Sequence, residues 1–512
     1  MNGKRTKRGI SPDQLTIVFE ASALETSDGT GANETSATQR ESVLPTLEPS
    51  DPPTPASATS VATGKQPGRR KQYSLIDKVW APSNLWQAWR HVAEKGGSGG
   101  VDGVSIQTFA QDPEARLREL SEDLKAKTYR PHPVRRHYIP KTDGGRRPLG
   151  IPTIRDRIVQ QALLQILGPI FERVFMESSH GFRPERGTAT AIGVVDRAVR
   201  NGYEWIVDAD IKGFFDNVDH EMLLGFINEE IADGSVLQLI RHILEAGVLE
   251  PSASTLEPTE LGTPQGGPIS PLLANIYLHG LDVSMQGRFG LVRYADDFAI
   301  FARSQSEAEA ALELARKVLG DLKLELHSEK TRIVHIEQGF DFLGFCYVRS
   351  QKGQLIKKVR SKSKKKFNDT VRARTPRLKN QRKTKRRHLT VARLSHNPRV
   401  KEMIASVNRH LRGWHWFFKG VWGIQPETAF AAFDKRVRAR VRLAITGRVG
   451  PGWWHNVLNN ALLAELGLLS LVQLQKHYLE RRNLISLPGR AVSMESRMRE
   501  NRMYGLGRQG GR

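Results

Sequence analysis

The chain has 512 residues, 39% of them hydrophobic, and its 78 Lys and Arg against 54 Asp and Glu leave a formal net charge of +24. That length allows two or three domains. The excess of base calls for a polyanion, nucleic acid before an anionic membrane, because no basic amphipathic helix flanks an apolar anchor. The single cysteine, Cys346, excludes an intramolecular disulfide framework and a multi-cysteine zinc site. No apolar run reaches the ~20 residues of a membrane span, and no apolar core follows the basic N-terminus as in a secretory signal, so a soluble protein of a reducing, cytoplasmic compartment is expected.

Residues 1 to about 70 are rich in Ser, Thr, Pro, Gly and Ala. Phe19 is their only aromatic residue, and Glu20–Gly64 carries seven acids against one base, Arg40. A segment so poor in apolar surface cannot offset its chain entropy, and disorder is expected there. Order is expected from Tyr73, with Leu75, Val79, Leu85, Trp89 and Val92 at helical spacing until Gly96–Gly100 breaks the pattern. A helix over Pro113–Ala126 follows, then an extended Val134–Pro140 leading into the hairpin signal Thr142-Asp143-Gly144-Gly145. Ile158, Ala162, Ile166, Ile170 and Val174 mark a long amphipathic helix from Ile154 to Phe175. Glu204–Ile211 reads as a strand ending in acids, and Leu291–Phe301 as two apolar half-strands around Ala295-Asp296-Asp297. Ser304 and Glu307 open a helix in capping-box spacing that ends near Gly320. Lys357–His388 then holds sixteen Lys and Arg and one acid, Asp369, with helices expected over Val400–Phe418, Ala429–Ile445 and Ala461–Leu484. The fold class expected is an α+β core followed by a basic, mostly helical last third.

Two groups of acids stand out by their apolar flanks. Trp205-Ile206-Val207-Asp208-Ala209-Asp210-Ile211 puts carboxylates at a strand end, and Tyr294-Ala295-Asp296-Asp297 puts two more at a turn before Phe298-Ala299-Ile300-Phe301. Crowded carboxylates at a sheet edge repel one another and lose hydration unless cations neutralise them. Hard oxygen donors suit Mg²⁺, and two such ions can activate a hydroxyl and stabilise a leaving pyrophosphate. Asp208, Asp210, Gly213, Asp216 and Asp219 also fit the spacing of a calcium loop, but Lys212 takes a ligand position, Asp219 replaces the bidentate Glu, and a strand precedes the motif.

Tyr-x-Asp-Asp in an apolar hairpin resembles the active-site turn of reverse transcriptases, and from about Tyr73 to Phe345 the chain is similar to their fingers and palm, in order. Asn408–Phe418, and more weakly the chain to about Leu484, resembles the thumb or maturase domain of the bacterial group II intron-encoded type. The resemblance implies a right-hand polymerase with an antiparallel palm sheet over 71–345, a basic helical maturase domain over 346–487, and a basic tail over 488–512 that contacts DNA. The family's optional endonuclease domain, with its Cys pairs and His residues, is not expected after Leu487. The implied catalytic residues are Asp210, Asp296 and Asp297, with Asp210, Ile211, Asp296 and Asp297 around two Mg²⁺ ions; Asp208 does not match. Phe215 matches the aromatic residue under the sugar of the incoming dNTP, where a ring excludes a ribose 2′-hydroxyl. Lys141 and Arg147 match the positions that grip its phosphates, and Arg135 is a third candidate. Gln265, in Thr263-Pro264-Gln265-Gly266-Gly267-Pro268, falls in the template–nucleotide motif, and Lys330 falls near the leaving pyrophosphate. Phe340–Phe345 matches the primer-grip turn.

His180-Gly181-Phe182-Arg183-Pro184 and Arg155-Asp156-Arg157 match the same family either as template contacts or as structural support. Lys364, Lys365, Lys366, Arg372, Arg386, Arg387, Arg412 and Trp414 are the RNA-binding candidates, although Trp414 also reads as helix core. The implied activity is RNA-directed DNA synthesis from dNTPs on a DNA primer, by a protein that binds its own intron RNA for splicing and copies it at a DNA target during retrohoming, associated with the nucleoid when on DNA. Three other readings stay open: a maturase that no longer polymerises, a reverse transcriptase of a diversity-generating or CRISPR-associated element, and a chromatin-like nucleic-acid binder.

Overall fold

The computed structural model describes residues 71–140, 145–250, 256–257, 261–263, 266–378, 390–447 and 458–485. Segment 1–70, expected to be disordered, the basic tail after Leu487, and the candidates Lys141, Gln265, Arg386 and Arg387 lie outside the described residues. The chain divides into two units, Met1–His335 and Ile336–Arg512. The division precedes the composition change at Phe345, because Phe340–Phe342 pairs with Phe345–Arg349 and that strand in turn with Leu355–Val359.

The first unit is built on two sheets. In one, β1 (Val134–Pro140) and β2 (Arg146–Ile151) form an antiparallel hairpin, with Arg135 opposite Ile151 and Ile139 opposite Arg147; the short β4 (Val248–Leu249) runs parallel to β1 and pairs with β5 (Leu256–Glu257). In the other, β6 (Gly290–Tyr294), β7 (Asp297–Ala302), β3 (Trp205–Ala209) and β8 (Arg332–His335) lie side by side in that order, all antiparallel. Apolar runs rather than strict alternation are what a sheet covered on both faces requires; Phe298 to Ala302 are all buried. Helix Gln305–Asp321 lies against β3 and β7 and buries Ala308, Ala311, Leu312, Ala315, Val318 and Leu319 at helical spacing. Its N-cap, Ser304, accepts from Glu307 N at 3.2 Å, while the Glu307 carboxylate reaches back to Arg303 N at 2.7 Å, one residue short of a reciprocal capping box. Helix Ile154–Glu172 starts where Thr153 caps Asp156 N and buries residues on more than one face, so it runs through the interior.

The second unit opens with β9 (Phe340–Phe342), β10 (Phe345–Arg349) and β11 (Leu355–Val359), followed by helices Ser361–Arg374, Pro398–Phe418 and Pro426–Thr446. The stretch expected as one helix, Ala461–Leu484, is two, Asn460–Glu465 and Leu471–Ile485. Gly467 at φ +85° ends the first, with Leu468 N donating to Leu463 O at 3.0 Å. The second starts on a cap from another helix: Asp434, 2% exposed, accepts from Leu471 N at 2.8 Å and from the Ser470 hydroxyl at 2.5 Å. Ser470 also caps locally, accepting from Gln473 N at 3.3 Å, so Gly467 and Ser470 are the sequence signals of the break, and the apolar periodicity running through Leu466–Leu471 masks them.

His415, 3% exposed, donates to Gln475 at 2.9 Å, and burial pushes its pKa down to about 4; burial, then the charges of Arg374 and Lys366, does the same to His410. Both stay neutral in the folded protein while an unfolded histidine takes up a proton below about pH 6.5. Their stabilising contribution is complete above that pH and is lost as pH falls toward 4. Thermal unfolding of the full chain from pH 7.5 to 4.5 is expected to show a steep loss of stability, on the order of 2 kcal/mol for each histidine. His415→Asn should lessen the slope, and an unchanged slope in that variant would remove His415 from the account.

Candidate active site

The ladder between β3 and β7 ends at Ala209 opposite Phe298. Asp210 follows the one and Asp297 precedes the other, so both carboxylates leave the same end of adjacent strands. Asp296 occupies the two-residue turn between Tyr294 and Asp297, which pair across the β6–β7 hairpin. The first turn residue, Ala295, has φ +58°, a conformation that such turns normally give to glycine. Asp296 is held above the usual carboxylate range, chiefly by burial and further by the negative charge of Asp210, while Arg147 of β2 pulls the other way. Beyond β3 the chain keeps pairing: Lys212 N donates to Glu325 O at 2.9 Å and His327 N to Asp210 O at 2.8 Å. That bonding leaves Ile211 and Leu326 as a bridge pair without mutual hydrogen bonds, so the Ile211 carbonyl points away from the 325–327 segment. Lys330, reached by the turn after His327, donates to Asp210 Oδ2 at 2.8 Å. Two residues earlier on β3, Asp208 is ion-paired to Arg332 at 3.2 Å.

A buried polar network holds the turn. Arg293, 0% exposed between Val292 and Tyr294, donates to both oxygens of Asp282 at 2.8 and 2.5 Å, to Asn275 Oδ1 and Ala295 O at 3.0 Å, and to Ser179 Oγ at 2.9 Å. Asn275 in turn donates to Gly181 O at 2.8 Å. His180 N donates to Arg293 O and Arg293 N to Ser178 O, each at 2.8 Å, so segment 178–181 is laced to β6. Gly181 lies so close to the turn that a Cβ would stand 2.5 Å from Ala295 N, and only glycine fits.

On the neighbouring loop, Phe214 and Phe215 form a short 3₁₀ turn with rings edge-on at 5.1 Å; Phe214 is buried and Phe215 half-buried. The Phe215 carbonyl accepts from Thr263 N at 2.8 Å and His220 holds Gly262 O at 2.7 Å. The 261–263 strip is thereby tied to the aromatic turn.

A family model described as reverse transcriptase (RNA-dependent DNA polymerase) matches residues 139–347. Protein YkfC of Escherichia coli is 34% identical over 319 residues, covering 54% of this chain and 83% of that protein. The chain belongs to the reverse transcriptase family. The group II intron-encoded protein LtrA of Lactococcus lactis subsp. cremoris is 34% identical over 358 residues, 57% of this chain and 59% of LtrA. A 91 kDa protein in the cob intron of Schizosaccharomyces pombe is 38% identical over 182 residues, 36% of this chain and 21% of that protein. The relationship is therefore to group II intron-encoded proteins and intron maturases, and the chain spans a little over half of LtrA's length. The matched region carries an RNA-directed DNA polymerase domain with the fingers and palm of that family. No helix among the described residues is long and apolar enough to cross a membrane.

Reverse transcriptases use divalent metal ions. Among the described residues of this one, no three His, Cys, Asp or Glu side chains have already converged on a metal position, and Lys330 takes up one oxygen of Asp210. The donors nevertheless suit a hard cation: Asp210 and Asp297 leave one sheet end, Asp296 is raised by burial and by the charge of Asp210, and Ile211 can offer only its main-chain carbonyl. A cation between them would relieve the repulsion.

The other candidates separate by geometry. Arg147 acts electrostatically on Asp296, whereas Arg135 turns to the Gly96–Gly100 segment, donating to Ser98 Oγ at 3.2 Å and Gly99 O at 2.7 Å. Arg183, 4% exposed, is consumed by Glu172, Met176 O and Ser179 O and lies over the Phe175 ring. Arg155 pairs with Asp123, Asp156 accepts from Tyr129 at 2.6 Å and Thr153 at 2.7 Å, and Arg157 donates to Pro152 O at 3.1 Å. For these residues the structural-support reading is the one their surroundings favour. In the second unit Lys364, Lys365, Lys366 and Arg372 are exposed on helix Ser361–Arg374, which buries Phe367 and Val371, and Arg412 is half-buried. Trp414 is 9% exposed and packs on Phe367, Phe418 and Phe433 at 4.8, 4.6 and 4.5 Å, which makes it helix core and leaves no face for an RNA base. Arg293 and Asp282 were not singled out from the sequence. A lone arginine inside an apolar strand was the available signal of a buried ion pair.

Proposed function

We propose that this reverse transcriptase extends a DNA primer on an RNA template with two Mg²⁺ ions held by Asp210, Asp296, Asp297 and the Ile211 carbonyl. The observation that carries the reading is the common sheet end from which Asp210 and the Asp296-Asp297 turn project. Metal ions held by these residues would supply activation of the primer 3′-hydroxyl and charge stabilisation for the leaving pyrophosphate. Arg147, with Lys141 and Gln265, holds the incoming dNTP, and Arg135 orders the loop behind the hairpin. Lys330, at Asp210, supplies a positive charge and a proton donor for the pyrophosphate. On this reading the half-buried Phe215 ring, in the aromatic turn next to Asp210, excludes a ribose 2′-hydroxyl by its bulk. Phe215→Ala is expected to raise use of rNTPs relative to dNTPs by roughly 10- to 200-fold, the range of one small steric contact. Competing incorporation of the two nucleotide types measures it, and an unchanged ratio removes Phe215 from that role.

The second unit, on this reading, is the thumb and maturase domain, which binds the intron RNA encoding the protein, assists its splicing and positions it for copying at a DNA target. Lys364, Lys365, Lys366, Arg372, Arg386, Arg387 and Arg412 would follow RNA phosphates. Arg440 sits below the usual guanidinium range, by burial first and then by the charges of Arg372, Arg436 and Arg377, a crowding of cations that a polyanion relieves. The direct experiment is dNTP incorporation on an RNA template with Mg²⁺, together with affinity for the RNA flanking the reading frame against unrelated RNA of equal length. Primer extension with selective, salt-sensitive binding is expected. No extension would defeat the polymerase reading, and equal affinity for both RNAs would defeat the intron reading.

A further inference from the structure

Phe182 combines two unfavourable features beside the catalytic turn. Its backbone sits at φ +56°, where a bulky L-residue is a genuine outlier, and the residue is 43% exposed. Neither is relieved locally, because both neighbours are fixed. Gly181 is pressed on Ala295 and its carbonyl is held by Asn275, while the Arg183 guanidinium is bonded to Glu172 and to the carbonyls of Met176 and Ser179. The clamp presents the Phe182 ring outward against Tyr294, centroids 5.9 Å apart and planes at 42°, at the residue that leads into Ala295-Asp296-Asp297. A polar residue or glycine at 182 would remove the exposed apolar surface, and glycine would also remove the strain.

We propose that Phe182, backed by Tyr294, is a stacking platform for a nucleotide of the primer–template duplex at the catalytic turn, taking the flat face of a base or the apolar face of a sugar. Base–aromatic stacking tolerates any sequence, as a polymerase requires. Arg183 and His180 thus position the platform, and Phe182 is the member of the segment that meets nucleic acid. The inference rests on the polymerase reading above.

The test uses the full chain and an RNA template annealed to a DNA primer with a 5′ template overhang. Duplex affinity is measured by fluorescence anisotropy and extension by single-turnover assay, for wild type, Phe182→Gly, Phe182→Leu and Phe182→Trp. The Gly and Leu variants are expected to bind the duplex about 5- to 150-fold more weakly, the range of one lost stack, with the KM for dNTP unchanged. The Trp variant should keep wild-type affinity, and its added fluorescence should be quenched on duplex binding. The melting temperature of Phe182→Gly should equal or exceed that of wild type, since a strained position is relieved. Wild-type affinity in the Gly variant, or no quenching in the Trp variant, overturns the platform. Wild type that binds the duplex without extending it overturns the polymerase reading alone, because the affinity comparison needs no catalysis.

Discussion

Asp296→Asn should lower RNA-templated dNTP incorporation by on the order of 10³-fold or more while leaving RNA affinity unchanged. The substitution keeps the shape of the side chain and removes only its charge. If Asp296 holds a divalent ion as proposed, weakening the hold on that ion removes part of the several kcal/mol of transition-state charge stabilisation a bound metal supplies, and each 1.36 kcal/mol is a factor of ten in rate. Asp296 sits in a turn held on both sides by β6 and β7, so the variant should fold and the loss should fall on the chemical step. Asp208→Asn is the control: that side chain is paired with Arg332 and lies two residues before Asp210, and the variant should still synthesise DNA. Single-turnover primer extension and filter binding measure both quantities. Equal rates for Asp296→Asn and wild type would remove the catalytic assignment.

The second large effect concerns Arg293. Arg293→Met should cost about 3–5 kcal/mol of stability, because Asp282, 1% exposed, is left as an uncompensated buried charge. Adding Asp282→Leu should restore most of that stability, as apolar replacement of a buried pair commonly does. Synthesis should stay impaired in the double variant, since Ala295 O and Ser179 Oγ would still lack their donor and the turn would no longer be held. Urea unfolding and primer extension on both variants separate the two effects. Recovery of full activity together with stability would show that Arg293 only neutralises Asp282.

Much of the site was legible because its residues contradict their surroundings. Acids inside Trp205–Ile211 and Tyr294–Phe301 interrupt runs that otherwise demand burial, and such interruption is costly unless it serves a purpose. Arg293 interrupts the same kind of run, yet its partner Asp282 lies on a separate helix and nothing local links the two. Trp414 was ambiguous for a related reason. Aromatic residues among bases suit both RNA stacking and a core, and the decision came from Phe367 and Phe433, which other helices bring to it.

By itself, the sequence determined several of the elements, among them the acid-ended strand, the Tyr294–Asp297 turn and the helix opened by Ser304, together with the expectation of a polyanionic partner and the identity of the acids that could do chemistry. Periodicity, turn residues and charge are local properties, and each acts through the nearest few residues of the chain. Only the tertiary structure decided that Asp210 emerges beside Asp297, that Arg135 turns to Ser98 and Gly99 and Arg183 to Glu172 and two carbonyls while the charge of Arg147 acts on Asp296, and that Phe182 is held out to solvent at a strained φ. Strand register and burial are set by contacts between distant segments, and no stretch of sequence specifies its partner's position.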